Sequence, residues 1–305
     1  MISVVIPVKN GGADLARCLD AVRTQHVEED VEIVVIDSGS TDESVSVARE
    51  HGARVETIPP SEFGHGRTRN LGAELARGDV LVFTSQDAYA ADAHWLSELV
   101  RPLLEGAQLA GVYGRQLPHA DATPPERFFL DFLYGAESRI QRLEREEELS
   151  FEATLFSNVN AAMPRAVWEQ FPFADDLIMS EDQEWSRRVL LAGYELAYAP
   201  KAAVYHSHAY TIGDAFRRFF DSGVSAERSY VGGAAGSSAL HSAARRYARE
   251  ELAWLWHSGH RRWIPYASAY ELAKFLGLQL GRRHRLLPAA VKRRSSALAS
   301  YWDDP

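Results

Sequence analysis

Four short apolar runs punctuate the first ninety positions, and polar, helix-periodic stretches separate them. Ile2–Val8 is a β-branched run that ends at Pro7 and the turn Asn10-Gly11-Gly12. Residues 31–36, 53–58 and Val80–Thr84 read as three further strands, and residues 13–25, 43–51 and 67–77 as helices. Strand–helix alternation predicts an α/β domain with a parallel sheet and right-handed crossovers. The fourth run passes through Ser85 and Gln86 and stops on Asp87. A carboxylate there stands at the mouth of the sheet, where open α/β folds bind ligands. An isolated Asp in that place is also a common turn former and helix cap.

Beyond this half, the pattern predicts a helix over 124–148, heavily charged from 139 onward. The alternating run 202–208 puts His206 and His208 on one face of an extended segment. From Ala215 the pattern stays helical, broken at Gly232-Gly233-Ala234-Ala235-Gly236, the best linker candidate. Two units are therefore expected, 1–230 and a helical C-terminal region, 231–305.

Charge sharpens that division. The 305 residues carry a net charge of -9, which argues against general nucleic-acid binding. Residues 241–305 hold 12 Lys and Arg against 5 Asp and Glu, a net of +7, which leaves -16 for residues 1–240. The basic segment also carries Trp254, Trp256, Trp263 and Phe275. Basic helices with interfacial aromatics suit peripheral contact with an anionic membrane face. The competing role is packing onto the body of the protein or onto a second copy. Cys18 is the only cysteine and shares an apolar stripe with Leu15, Leu19 and Val22, so a buried, inert thiol is expected. No signal-like segment precedes the first strand and no apolar run of about 18 residues could span a bilayer, which predicts a cytoplasmic protein.

Polar groups suited to a nucleotide sit at the strand exits. Asn10, Gly11 and Gly12 offer backbone N–H groups. Asp37 can accept from a base or ribose hydroxyl, and Gly39 allows close backbone approach. His65, Arg69 and Asn70 sit at the N-terminus of a predicted helix, where basic residues add to the positive end of the helix dipole at a cost in stability that a bound anion would offset. Each feature has a plain structural alternative: a capped turn for residues 37–42, a solvated basic turn for 65–70.

The strings Ser3-Val4-Val5-Ile6-Pro7-Val8-Lys9-Asn10 and Val35-Ile36-Asp37-Ser38-Gly39-Ser40-Thr41-Asp42 resemble the start of glycosyltransferase family 2. Phe63-Gly64-His65-Gly66-Arg67-Thr68-Arg69-Asn70 and Ser85-Gln86-Asp87-Ala88 are similar to its bacterial rhamnosyltransferase branch. The resemblance resumes at Ser157-Asn158-Val159-Asn160, at Ser180 to Trp185, at Val204 to His208 and at Phe219-Phe220-Asp221-Ser222-Gly223, and so covers residues 1–230.

The resemblance implies a GT-A fold with a Rossmann-like mixed sheet, a nucleotide-sugar donor and inversion at the anomeric carbon. It places the donor on Pro7, Asn10, Asp37, Gly39, His65, Arg69, Asn70, Gln86 and Asp87, and the acceptor beside Asn158, Asn160 and Trp185. The family's metal motif is usually Asp-x-Asp. Here Ser85 holds its first position and Asp87 retains the last acid. Departure of a nucleoside diphosphate favours a divalent cation, Mg²⁺ or Mn²⁺. Asp87 supplies a hard oxygen ligand. His206, with His208 beside it, completes the metal site or contacts the diphosphate; two surface histidines beside a strand end are the bland alternative. Asp182 matches the family's base, with Glu181 positioning it or binding the acceptor, although two acids in a first helical turn also serve the dipole. The branch implies transfer of L-rhamnose from dTDP-rhamnose to a growing bacterial surface glycan or lipid-linked glycan. The rivals are a UDP-hexose transferase of the same fold and a non-catalytic sugar-nucleotide-binding or scaffold protein, which would need no base.

Overall fold

The computed structural model of the chain describes residues 1–105, 109–231 and 233–303. The first half alternates as the pattern predicts: β1 (Ile2–Val8), α1 (Gly12–Arg23), β2 (Val31–Asp37), α2 (Ser44–Glu50), β3 (Arg54–Thr57), α3 (His65–Leu75) and β4 (Val80–Thr84). Then come β5 (Tyr89–Ala90), α4 (Trp95–Glu105), β6 (Leu109–Leu117), α5 (Pro124–Leu133), β7 (Arg139–Gln141), β8 (Asn160–Pro164), α6 (Arg165–Gln170), α7 (Glu181–Leu191) and β9 (Glu195–Tyr205). Helices α8 (Ile212–Ser229), α9 (Gly233–His257), α10 (Ile264–Arg282) and α11 (Ala289–Ser295) follow.

One sheet runs in the order β3-β2-β1-β4-β8-β6-β9-β5, with β7 also beside β9. The first four strands are parallel. β8 is antiparallel to both of its neighbours, so the sheet is mixed. Side chains alternate across it with period two. Val4 and Ile6 face a core with Leu15, Leu19, Trp95 and Leu96. Val5 and Phe83 face the other core, with Phe173 and Trp185. Cys18 is buried in the first of these, and burial pushes its thiol up to about 12, which fits an inert side chain.

The helix expected over 124–148 stops at Leu133. Residues 139–141 instead form β7, paired with β9. Arg139 donates to the Tyr113 hydroxyl at 2.7 Å and lies 4.7 Å over the Tyr198 ring, so side-chain contacts with the sheet override the local helical pattern.

The helical C-terminal part is fastened to the body at three kinds of contact. Gly223 of α8 and Gly277 and Gly281 of α10 meet where the two helices cross, and a Cβ on Gly281 would collide with the Phe220 carbonyl. Asp221 is wholly buried, and its carboxylate accepts from the backbone N–H groups of Ala297, at 2.8 Å, and Leu298, at 3.3 Å. Lys274 pairs with Glu271 at 2.8 Å and lies 4.8 to 4.9 Å from the rings of Phe129, Phe219 and Tyr247, which ties α5, α8, α9 and α10 together. Helix α9 takes up the glycine cluster expected as a linker, apart from Gly232, which lies outside the described residues. Among the described residues no helix is long and apolar enough to cross a membrane.

Candidate active site

Topology gathers the site at one end of the sheet. Tyr89 of β5 pairs with Tyr205 of β9 in antiparallel register, so residues just before β5 and just after β9 meet. That brings Asp87 to His206 and His208. Their ligand atoms all lie within 4.8 Å of one another. His206 Nε2 is 3.7 Å and His208 Nε2 3.6 Å from the two Asp87 oxygens. One carboxylate and two imidazoles form a donor set fit for a divalent cation.

The buried Gln116 fixes how His206 is presented. Its amide nitrogen donates to the Tyr134 hydroxyl at 2.8 Å and to the Ser157 hydroxyl at 3.0 Å. The amide oxygen is thereby left to face His206 Nδ1 at 2.8 Å. In this network Nδ1 carries the proton and the Nε2 lone pair points at the Asp87 side, the tautomer a metal ligand needs. Burial pushes His206 down to about 3, against the pull of Asp87, and lowers His208 for the same reason, so both rings are neutral at pH 7. Gln116 escapes a sequence reading because β6 shows no clear alternation; its only signal is one amide near the end of an apolar run.

A second cluster lies at the start of α7. Ser180 precedes it with φ +64°, a left-handed conformation costly for a non-glycine residue and characteristic of functional sites. Glu181 is buried and pairs with Arg69, Nη1 to Oε1, at 2.9 Å. The Asn158 amide donates to the same Glu181 oxygen at 3.2 Å, and the Asn158 backbone N–H donates to Asp182 at 3.3 Å. Asp182 is half-buried, and its other oxygen accepts from Gln183 N at 2.8 Å. Burial, then the Glu181 charge, push Asp182 up to about 7. Glu181 moves the other way. Burial opposes its charge, but Arg69, His65 and Asn158 hold it below the ordinary glutamate range. His65, first residue of α3, is pushed down to about 4 by burial. Two adjacent carboxyls with proton affinities driven apart are the usual mark of an acid–base site.

The two clusters are contiguous. Thr84 pairs with Asn160 across β4 and β8, which places Ser157 and Asn158 at the Asp87 end of the sheet. Gln116 bonds His206 on one side and Ser157 on the other, and the next residue, Asn158, contacts both acids.

Four of the expected site residues are engaged by the protein itself. Arg69 is buried and paired with Glu181, which spares Glu181 the cost of an unpaired buried charge. Asn70 is spent on the 168–173 segment: it donates to Phe173 O at 2.8 Å and accepts from Trp168 Nε1 and Phe173 N at 3.0 Å. Asn160 is wholly buried, accepting from Trp95 Nε1 at 2.8 Å and donating to Ala202 O at 2.8 Å. Trp185 is wholly buried, its ring centroid 4.9 Å from that of Phe156. These three side chains brace the walls of the site through those contacts.

The remaining expected donor residues edge the ends of β1, β2 and β4. Pro7 lies in β1 opposite Ile36. Asn10, at φ +50°, accepts from Thr41 N at 2.8 Å. Asp37 is buried and accepts from Gly39 N at 3.1 Å and Ser40 N at 3.2 Å, so it shapes its own turn. Gly39 has φ +79°, and a Cβ there would meet Pro60 at 2.8 Å. Gln86 clasps Lys9 in both directions, accepting from its N–H at 2.8 Å and donating to its carbonyl at 3.2 Å.

Known proteins share this arrangement of elements. The family model described as Glycosyl transferase family 2 matches residues 3–171. The O-antigen chain rhamnosyltransferase RfbN of Salmonella typhimurium is 35% identical over 312 aligned residues, which cover 99% of this chain and 96% of that one. WbaN of Salmonella anatum, with the same description, is 34% identical over 311 residues, at 99% and 96% coverage. Among solved structures, the mannosyltransferase PcManGT from Pyrobaculum calidifontis, in complex with GDP-Man and Mn²⁺, aligns over 91% of this chain and 86% of its own at 19% identity and TM-score 0.62. S. aureus TarS 1-349 in complex with UDP-GlcNAc aligns over 93% and 92% at 16% identity and TM-score 0.54. These likenesses show the GT-A fold. With more than half of its length matched by the family model and two relatives aligned almost end to end, the chain belongs to glycosyltransferase family 2 and is a sugar-transferring enzyme.

Proposed function

We propose that this enzyme moves an L-rhamnosyl group from dTDP-rhamnose to a hydroxyl of a growing bacterial surface glycan, inverting the anomeric centre. The description of its two near-full-length relatives as O-antigen chain rhamnosyltransferases supports the sugar and the kind of acceptor. The observation that carries the catalytic reading is the continuous network from His206 through Gln116 and Ser157–Asn158 to Glu181 and Asp182. It joins Asp87, His206 and His208, which could hold a cation, to a carboxyl that burial and the Glu181 charge push up to about 7.

In this reading Asp182 takes the proton of the acceptor hydroxyl. The acceptor oxygen attacks the anomeric carbon from the face opposite the diphosphate, the carbon–oxygen bond to the diphosphate breaks, and the configuration inverts. Glu181, held charged by Arg69 and Asn158, keeps the proton affinity of Asp182 high enough for that work. Asp87, His206 and His208 would hold the divalent cation. Such a cation supplies charge compensation for the departing diphosphate. Two imidazoles make this set softer than the all-oxygen shell Mg²⁺ prefers, so Mn²⁺ is the better fit of the two.

The reading places the enzyme in the cytoplasm, peripheral to the inner face of the membrane, where a lipid-linked acceptor would be presented. Support comes from the +7 charge of residues 241–305 and from the exposed Trp256, Leu272, Leu276 and Leu286. A thermal-shift screen of nucleotide-sugars with and without Mn²⁺ tests the donor, since binding raises the midpoint by mass action. Stabilisation by dTDP-rhamnose is expected. Stabilisation by UDP-glucose or UDP-N-acetylglucosamine alone would move the enzyme to a UDP-hexose donor.

A further inference from the structure

A cavity of about 520 Å³ opens where α8 meets α11. Tyr210, Arg217, Arg218, Arg293, Arg294 and Ser296 line it. Four guanidinium groups around one hollow repel one another, an arrangement that a bound anion relieves and that planar donor forks suit for phosphate. The single acid in its wall, Asp214, is already engaged. It accepts from Thr211 Oγ1 at 2.7 Å in the cap of α8 and pairs with Arg217 at 3.0 Å. Arg293 pairs with Asp303 at 2.8 Å. No ion pair among the described residues engages Arg218 or Arg294.

The cavity adjoins the cation trio. Tyr210 forms part of its wall, and the Tyr210 ring centroid is 4.9 Å from that of His208. Arg218 lies 4.8 Å over the same Tyr210 ring. The C-terminal arginines reach this place because the buried Asp221 carboxylate grips the backbone at Ala297 and Leu298, just beyond α11. Thus the acid within the Phe219–Gly223 motif docks the segment that carries Arg293 and Arg294.

We propose that this cavity is a diphosphate-binding site, completed by the C-terminal segment and continuous with the cation centre. The preference for a multivalent anion follows from the four arginines; the choice of a diphosphate rests on the transfer reaction proposed above. That diphosphate belongs either to the nucleotide of the donor or to the lipid carrier of the acceptor, and one set of titrations separates the two.

Calorimetric titration of the full-length protein with inorganic pyrophosphate, in chelator and at low salt, removes the cation's contribution. Arg293→Ala/Arg294→Ala should bind pyrophosphate at least about tenfold more weakly than the native protein, while Arg293→Lys/Arg294→Lys, which keeps the charge and loses the planar fork, falls between the two. Equal thermal midpoints for the three proteins establish that the effect is local. The same variants are then titrated with dTDP and with farnesyl diphosphate. Selective weakening of dTDP assigns the site to the donor, and selective weakening of farnesyl diphosphate assigns it to a lipid-linked acceptor. Unchanged pyrophosphate affinity overturns the proposal, as does weakened pyrophosphate with both dTDP and farnesyl diphosphate untouched. Because no turnover is measured, an error in the donor sugar leaves the pyrophosphate result standing.

Discussion

The Arg69 guanidinium lies 2.9 Å from Glu181, with both side chains buried, and burial together with the Glu181 charge keeps the neighbouring Asp182 reluctant to lose a proton. A cation that a sequence reading assigns to phosphate thus serves a carboxylate. Arg69→Met should destabilise the fold by about 3–5 kcal/mol, because it strands a buried charge. Adding Glu181→Gln should recover part of that loss. Urea unfolding of the two variants checks this. A stable single variant that has lost dTDP affinity would return Arg69 to the nucleotide.

Asp182→Asn keeps the shape of the side chain and removes its basicity. A rate loss on the order of 10²–10⁴ is expected, with donor affinity nearly unchanged. The native rate should rise with pH through about 7, since the base works only when deprotonated and burial with the Glu181 charge pushes Asp182 up to about 7. A carboxyl raised in the folded state costs stability as pH climbs through that value, so Asp182→Asn should be at least as stable as the native protein at pH 8. Retention of the pH-dependent limb in the variant would place the base elsewhere.

Gln116 touches no substrate in this account; it positions His206. Gln116→Met should leave the fold intact and weaken Mn²⁺ binding about 10–100-fold, the usual effect of losing a group that orients a ligand. Electron paramagnetic resonance of free Mn²⁺ reads this without any turnover. Unaltered Mn²⁺ affinity would separate the Gln116 network from the cation.

Much of this fold is written in local pattern. β1, β2, β4 and α1 are legible because apolar runs and a 3.6-residue period leave few alternatives, and Asp87 is legible as a carboxylate at a strand exit. The mixed half of the sheet is not. β7 is three residues long, and Arg139 joins it for the sake of Tyr113 and Tyr198, contacts no window of sequence contains. The same limit explains the site. Residue type identifies Asp87, His206, Glu181 and Asp182 as chemically capable, but type cannot tell an asparagine that meets the acids, Asn158, from one that braces Trp95, Asn160. That distinction lies in the pairing of β8 with β4 and β6.

The C-terminal helices lead to a prediction about location. Full-length protein should co-sediment with anionic vesicles at low salt, bind neutral vesicles less, and lose binding as salt screens the arginines. Equal, negligible binding to both vesicle types at low salt would leave the basic helices to the fold and to the arginine-lined cavity.

The central claim is metal-dependent rhamnosyl transfer with Asp182 as the base. Its most direct measurement is release of dTDP from dTDP-rhamnose by the purified enzyme, with a glycan acceptor, in Mn²⁺ and in excess chelator, for the native protein, Asp87→Ala and Asp182→Asn. The account predicts saturable release in Mn²⁺ from the native protein alone, with chelator and either substitution abolishing it or reducing it on the order of 10²-fold or more. Full activity in excess chelator, or turnover of a UDP-hexose with none of dTDP-rhamnose, would contradict it.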